Sequence, residues 1–127
     1  MVNILIVDDS SLTRKAIHRI IDMIGVDVGR VIEAGNGREA LEKMHMDSVD
    51  LVLADLNMPE MGGIEMIDRM ATDERTQSIP VIVISTESST TRIGGLLSQG
   101  ARNYLHKPFT PEQVKQVIEQ TMGVFQS

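Results

Sequence analysis

The stretch of sequence that decides the fold reads Leu51-Val52-Leu53-Ala54-Asp55 and continues into Leu56-Asn57-Met58-Pro59. Four consecutive apolar residues are typical of a strand that is buried on both faces. A carboxylate cannot help to pack a core, so we expect Asp55 to face solvent where that strand ends. In open α/β sheets, the carboxyl ends of the strands are where ligands bind. Asp55 is therefore the first candidate for a functional residue.

Two other predicted strands also run into charged residues. Ile4-Leu5-Ile6-Val7 leads into Asp8-Asp9, and Tyr104-Leu105 leads into His106-Lys107-Pro108. Because parallel strands end at the same edge of a sheet, three carboxylates and one ammonium could meet in a single pocket.

Strand-like apolar runs alternate with helix-like segments along the chain. We predict strands near 3–7, 31–34, 50–54, 80–84 and 102–105. Continuous runs such as Val81-Ile82-Val83-Ile84 indicate parallel strands covered by helices on both faces. The pattern predicts about five βα units in one domain, residues 1–127, joined by right-handed crossovers.

Apolar residues recur at helical spacing between the strands. These residues are Leu12, Ala16, Ile20 and Ile24, then Ile64, Ile67 and Ala71, then Ile93, Leu96 and Leu97, then Val114, Val117, Ile118 and Met122. Ser10 can cap the first helix, and Thr110-Pro111-Glu112-Gln113 has the residues of a capping box with Pro at the first helical position. Gly100 is placed to end the fourth helix.

The fourth predicted helix contains Gly94-Gly95 in its interior. Each Gly costs about 1 kcal/mol relative to Ala at such a position. Either a close contact between helix and sheet requires small residues there, or the helix shifts and frays easily.

Composition excludes several classes of protein. The 127 residues include 12 basic and 18 acidic side chains, and the net charge of −6 argues against nonspecific nucleic-acid binding. The absence of Cys excludes disulfides and thiolate metal sites. There is no signal peptide and no apolar stretch long enough to span a bilayer, so we expect a soluble, cytoplasmic protein without membrane partners. His18, His45 and His106 lack the spacing of metal ligands, so we expect structural or surface roles for them.

Each charged or hydroxyl residue at the strand ends also has a purely structural interpretation. Asp8-Asp9 could cap a helix, Lys107 could form a salt bridge, and Ser85 could be a turn residue. Together, however, clustered carboxylates without Cys suit a hard cation such as Mg²⁺. A Lys and Mg²⁺ around an accessible Asp form a site at which a carboxylate can accept a phosphoryl group.

The sequence resembles the receiver domains of two-component response regulators, and most closely the stand-alone chemotaxis-type (CheY-like) receivers. The resemblance runs from about Asn3 to Met122 and covers nearly the whole chain. It is carried by Ile6-Val7-Asp8-Asp9-Ser10, Asp55-Leu56-Asn57-Met58-Pro59-Glu60-Met61, Ser85-Thr86-Glu87 and Gly100-Ala101-Arg102-Asn103-Tyr104-Leu105-His106-Lys107-Pro108-Phe109. It implies a flavodoxin-like (βα)5 three-layer sandwich with a parallel five-stranded sheet of order 2-1-3-4-5.

The resemblance also implies how the acidic residues act. Asp55 would accept a phosphoryl group from the phosphohistidine of a histidine kinase. Asp9, Asp55 and the backbone carbonyl of Asn57 would bind Mg²⁺, and Asp8 would act through a metal-bound water. Asn57 and Glu87 occupy positions that tune the rate at which such domains hydrolyse their own phosphoaspartate.

Further roles follow for the other strand ends. Lys107 and Ser85 would bind the phosphoryl group together with the backbone N–H of Thr86, and Tyr104 would move inward behind Ser85. The resemblance also implies a cis Lys107–Pro108 bond.

Two positions depart from the usual pattern of the family. Thr86 stands where relatives usually have Ala or Gly, and its branched side chain could restrict a phosphodonor or a phosphatase. Gly62-Gly63 replaces the commoner Asp-Gly, which should loosen the loop after Asp55 slightly.

The leading hypothesis is a single-domain response regulator, a signalling phosphoacceptor rather than an enzyme, that also phosphorylates and dephosphorylates itself. Phosphorylation would alter the face made by the fourth helix, last strand and last helix, which would bind a flagellar motor switch or a phosphorelay protein, with chemotaxis as the leading pathway. A receiver fragment of a longer regulator, or a phosphorelay intermediate, is one alternative. A small-molecule Mg²⁺-dependent phosphohydrolase with an Asp nucleophile is another, but it usually needs a cap insertion for which 127 residues leave no room.

Overall fold

The computed structural model describes residues 1–86 and 89–123, so Glu87 lies outside the described residues. Within them, strands and helices alternate strictly. The elements are β1 (Val2–Val7), α1 (Ser11–Met23), β2 (Val28–Ala34), α2 (Gly37–Met46), β3 (Leu51–Asp55), α3 (Gly63–Ala71), β4 (Val81–Ser85), α4 (Thr90–Ser98), β5 (Asn103–His106) and α5 (Pro111–Met122). None of these helices combines the length and the hydrophobicity needed to cross a membrane.

The strands form one parallel sheet in the order β2-β1-β3-β4-β5, which confirms the predicted fold class and strand order. The register aligns the strand ends. Val7, at the end of β1, lies opposite Ala54, and Asp55, at the end of β3, lies opposite Ile84. Residues that follow β1 and β3 are therefore brought to the same edge of the sheet.

Helices cover both faces of the sheet and create two separate cores. Leu5 and Val7 of β1 point into the core shared with α2, α3 and α4, whereas Ile4 and Ile6 point into the core shared with α1 and α5. The alternation follows from the two-residue period of a strand. Each fully buried side chain of this size stabilises the fold by about 1.5–3 kcal/mol. The central strands are thus held from both sides, which fixes the position of the residues at their ends.

Helix α1 is present as predicted, and its fully buried side chains are not among those whose spacing indicated the helix. Ile17 and Ile21 are the buried residues of α1, whereas Leu12 and Ala16 are exposed and the other two predicted positions are half-buried. Two apolar stripes lie one residue apart on this helix, and both have helical spacing. The sequence pattern alone does not determine which stripe turns toward the sheet.

The structure confirms the predicted helix boundaries. The Ser10 hydroxyl accepts a hydrogen bond from the N–H of Thr13 at 3.2 Å and caps α1. Thr110 and Gln113 form the predicted reciprocal capping box at the start of α5. Gly100 follows α4 with a φ of 121°, a conformation that favours glycine.

Strand β2 begins at Val28, three residues before the predicted start near 31. Gly29 and Arg30 are exposed at this edge of the sheet, so the first part of the strand has no apolar run to reveal it. Instead, the side-chain oxygen of Asn3 accepts a hydrogen bond from the N–H of Arg30 at 2.9 Å.

Helix α4 is only weakly attached to the sheet. Leu96 is its one buried side chain. A methyl group at Gly94 or Gly95 would meet no other segment of the described chain within 4 Å. The interpretation that a close packing contact requires these glycines is therefore wrong. They lower the stability of the helix without a compensating contact, which leaves the other interpretation, a helix that shifts easily, as a prediction.

We expect Gly94→Ala and Gly95→Ala each to raise the free energy of unfolding by about 1 kcal/mol, because alanine favours the helix and meets no obstacle. Urea unfolding measures the effect. Gly100→Ala is the matched control, and it should destabilise the protein because its φ of 121° strains any residue with a side chain. Equal stabilities for the wild type and both helix variants would contradict this account of α4.

Candidate functional site

The ends of β1, β3 and β5 converge on one charged pocket. Asp8, Asp9 and Asp55 each offer a carboxylate oxygen, and these three oxygens lie within 4.8 Å of one another. The Lys107 ammonium lies 3.5 Å from Asp55 Oδ1 and 3.6 Å from Asp8 Oδ2. The expected meeting of three carboxylates and one ammonium is therefore observed.

The three carboxylates differ in exposure. Asp8 is 4% exposed, Asp55 is half-buried and Asp9 is exposed. Asp8 is fixed from two sides, since its N–H donates to the Ala34 carbonyl at 3.1 Å and its Oδ1 accepts from the Ser10 N–H at 2.8 Å. Asp8 is thus enclosed by β2 and the start of α1, while Asp55, which was expected to face solvent, is half-buried.

Burial and charge both act on Asp55. Burial raises the pKa of its carboxyl, and the neighbouring Asp8 carboxylate raises it further. The Lys107 ammonium lowers the pKa of Asp55. The Leu56 N–H, which donates to Asp55 Oδ1 at 2.9 Å, also lowers this pKa, but the two effects do not cancel the rise. The pKa of Asp55 is thus above its ordinary value. Burial is the dominant cause of this rise.

The backbone around Ser85 positions Lys107. Ser85 is buried at the end of β4, and its carbonyl accepts a hydrogen bond from the Lys107 N–H at 2.8 Å. The same carbonyl accepts from the hydroxyl of Tyr104 at 3.1 Å. The Lys107–Pro108 bond is cis, as predicted. Ser85, Tyr104 and Lys107 are therefore linked at one backbone carbonyl beside the pocket.

Thr86 is exposed and lies at the entrance to the site. It borders a cavity of about 380 Å³ next to the Lys107 side chain. The other residues that line this cavity are Thr13, Lys107, Pro108 and Phe109. A donor that approaches Lys107 through this opening would pass the side chain at position 86.

The loop that follows Asp55 is folded tightly. Asn57 is exposed in this loop, which closes where the Gly63 N–H donates to the Leu56 carbonyl at 2.9 Å. A Cβ at Gly62 would lie 2.9 Å from the Leu56 oxygen, and one at Gly63 would lie 2.7 Å from the Asp55 oxygen. The expectation that Gly62-Gly63 loosens the loop is therefore wrong, because both glycines permit close contacts between backbone segments.

Sequence reasoning missed Arg14 and Glu33. Arg14 Nη1 donates to the backbone carbonyl of Asp8, and its Nε donates to Glu33 Oε1 at 3.0 Å. Burial raises the pKa of Glu33, but hydrogen bonds from Arg14 and His18 outweigh it, so the pKa lies below its ordinary value. Glu33 therefore stays ionised and holds Arg14 against the backbone of Asp8. No spacing in the sequence links a helix residue to an edge-strand residue in this way.

The pocket has the donor set that a hard divalent cation prefers. The side-chain atoms of Asp8, Asp9 and Asp55 that could bind a cation are all carboxylate oxygens. The exposed side chain of Asp9 leaves the pocket open to solvent. Mg²⁺ is usually bound by one or two carboxylates and several waters. A divalent cation would also offset the repulsion among Asp8, Asp9 and Asp55. The residues present thus fit Mg²⁺.

Asp55→Asn should raise the free energy of unfolding at neutral pH when divalent cations are absent. Because the pKa of Asp55 is raised in the folded protein, the folded state holds more protons than the unfolded state between the two pKa values. Stability is therefore lost as the pH rises through this window, and asparagine removes that loss while its amide oxygen can still accept from Leu56.

Urea unfolding in the presence of a chelator, at neutral and at acidic pH, tests this expectation. The advantage of Asp55→Asn should shrink below the pKa of the unfolded chain, where both states carry a neutral carboxyl. A variant no more stable than the wild type at neutral pH would contradict the account of Asp55.

Comparisons with known proteins agree with this geometry. The family model described as "Response regulator receiver domain" matches residues 4–119. The chain is 36% identical over 121 residues to the chemotaxis protein CheY1 of Helicobacter pylori, and the match covers 94% of this chain and 96% of that protein. It is 34% identical over 116 residues to the chemotaxis protein CheY of Pseudomonas aeruginosa, with 91% and 92% covered.

Solved structures show the same arrangement. The chemotaxis response regulator CheY4 of Vibrio cholerae superposes with a TM-score of 0.85 at 30% identity, and the match covers 95% of this chain and 98% of that one. The similarity of fold therefore extends over nearly the whole chain.

Proposed function

This chain belongs to the response regulator receiver family, and from that premise we propose that Asp55 accepts a phosphoryl group from the phosphohistidine of a histidine kinase. The observation that carries the proposal is the contact between Asp55 and Lys107 at 3.5 Å, next to two further carboxylates. A half-buried aspartate beside a fixed cation is accessible to a donor and already has a partner for incoming negative charge.

The proposed transfer is a displacement at phosphorus. A carboxylate oxygen of Asp55 forms a bond to phosphorus as the bond from phosphorus to the kinase histidine nitrogen breaks, and that nitrogen keeps the electron pair. Lys107 pairs with an oxygen of the transferred group. Asp8, Asp9, Asp55 and the backbone carbonyl of Asn57 would hold Mg²⁺, whose charge would offset that of the carboxylates and the phosphoryl group.

The same site supports proposed roles for the end of β4. We assign the Ser85 hydroxyl and the Thr86 N–H to the phosphoryl oxygens. The Ser85 carbonyl is shared by the Tyr104 hydroxyl and the Lys107 N–H, so a displacement of Ser85 changes both of these hydrogen bonds. The phosphorylation state thereby reaches β5 and the adjoining α4, which is the weakly attached helix.

The surface of α4, β5 and α5 is the proposed output face. A phosphorylation-dependent change there would alter the binding of a target protein. The chemotaxis relatives favour a target such as the flagellar motor switch, with a phosphorelay protein as the alternative. A receiver within a longer regulator would use Asp55 in the same way. Family membership argues against the small-molecule phosphohydrolase.

Intact mass spectrometry after incubation with Mg²⁺ and acetyl phosphate tests the proposal. We expect the wild type to gain one phosphoryl group, because Asp55 can attack an acyl phosphate as it would a phosphohistidine. The control is Asp55→Asn, whose amide is not a nucleophile, and it should gain none. An equal gain in both proteins, or no gain in a wild type that binds Mg²⁺, would contradict the role of Asp55.

Mg²⁺ should stabilise the folded protein. At about ten times its Kd, a ligand that binds only the folded state raises the free energy of unfolding by roughly 1.4 kcal/mol. Thermal or urea unfolding with and without Mg²⁺ measures this shift, and Asp9→Asn should reduce it because one charged ligand is lost. A wild-type stability independent of Mg²⁺ would argue against a metal site at the three aspartates.

A further inference from the structure

The loop that carries Asn57 is tied on its far side to the start of α2. The side-chain nitrogen of Asn36 donates to Glu60 Oε2 at 3.0 Å, and the Gly37 N–H donates to the Met61 carbonyl at 2.9 Å. Arg38 Nε lies 3.6 Å from the other oxygen of Glu60. The start of α2 and its N-cap residue thus contact two consecutive residues of the loop after Asp55.

Both ends of the Asn36 amide are in use. Its oxygen accepts from the Glu39 N–H at 2.9 Å and caps α2, while its nitrogen donates to Glu60. An N–H partner requires an oxygen and a carboxylate requires a donor, so the two partners fix the orientation of the amide. Asn36 is only 8% exposed, whereas the Glu60 side chain that it contacts is exposed.

The loop needs such an attachment because its backbone is strained. Glu60 has a φ of 65°, and the left-handed conformation costs a non-glycine residue about 1–2 kcal/mol. The contact beside it is also close, since a Cβ at Gly37 would lie 2.8 Å from the Met61 side chain and 2.9 Å from its carbonyl. The side chain of this strained residue contacts both Asn36 and Arg38.

We propose that the Asn36–Glu60 pair positions the loop 56–62 so that the backbone carbonyl of Asn57 is set for Mg²⁺, an inference that rests on the function proposed above. Asn57 lies between two points at which the loop is hydrogen-bonded. One is the Gly63–Leu56 hydrogen bond, and the other is the set of contacts to α2. Neither Asn36 nor Glu60 is a proposed ligand. They are positioning residues that act through the loop.

Asn36→Asp is the variant that isolates this role. A carboxylate at position 36 still accepts from the Glu39 N–H and caps α2, but it has no donor for Glu60 and repels it. We expect its Mg²⁺ affinity, measured by isothermal titration calorimetry, to fall about tenfold, as is typical when an outer partner of a metal site is lost. An added negative charge acting only through space would have the opposite effect and tighten binding.

Glu60→Gln provides the matched controls. Alone, it keeps an oxygen that can accept from Asn36, and its affinity should stay near that of the wild type. In the double variant Asn36→Asp/Glu60→Gln, the glutamine amide can donate to the new carboxylate, and the net charge equals that of the wild type. The double variant should recover most of the lost affinity.

Hydrogen exchange in metal-free protein gives a readout independent of Mg²⁺. Asn36→Asp should speed exchange of the amide protons of Gly37 and Gly63, while those in the centre of α2 change little because the cap is kept. At saturating Mg²⁺, its rate of phosphorylation by acetyl phosphate should approach that of the wild type, since Asp55 and Lys107 are unaltered.

Two results would overturn the inference without touching the proposed function. One is that the wild type is phosphorylated but Asn36→Asp binds Mg²⁺ as tightly as the wild type or more tightly. The other is a weakening that the double variant does not reverse. A wild type that neither binds Mg²⁺ nor gains a phosphoryl group would instead refute the proposed function itself, and this inference with it.

Discussion

Three carboxylates and one ammonium meet at the edge of the sheet, and the proposed chemistry depends on this imbalance of charge. Lys107 lies within 3.6 Å of both Asp8 and Asp55, but a single positive charge does not compensate for the group. Burial raises the pKa of Asp55, and the neighbouring Asp8 carboxylate adds to that rise against the lowering effect of Lys107. A site in this condition favours the arrival of positive charge, which is the property that a Mg²⁺-dependent phosphoacceptor requires.

The fold tolerates this repulsion because the charged residues follow rigid elements. β1 and β3 are buried between two cores, so the aspartates at their ends cannot move apart without disturbing well-packed strands. Backbone hydrogen bonds then fix the details. The Ser85 carbonyl holds Lys107, and the loop after Asp55 is fastened to α2 through Asn36. Helix α4 has one buried side chain, Leu96, and its two glycines make no close contact with other described segments. The rigid elements thus position the proposed chemistry, and a shift of α4 stays a prediction.

The sequence was sufficient to predict the alternation of strands and helices and the convergence of the strand ends, because burial and strand direction follow from local patterns of apolar residues. It was insufficient where a result depends on contacts between distant segments. The buried face of α1 was not determined because two apolar stripes have helical spacing. The role of Gly62-Gly63 was mispredicted because their close neighbours are backbone atoms of the preceding loop residues. The Asn36–Glu60 hydrogen bond joins residues 24 positions apart and leaves no periodic signal.

The central claim is that three strand ends act as one site, and a Mg²⁺ titration followed by backbone amide NMR tests it most directly. The informative amides are those of Ser10, Leu56 and Lys107. The Ser10 N–H donates to the Asp8 side chain and the Leu56 N–H to the Asp55 side chain. The Lys107 N–H donates to the Ser85 carbonyl. A single shared pocket predicts that all three signals shift along the same binding curve with one Kd. Shifts confined to one segment, or different Kd values for the three, would contradict the claim.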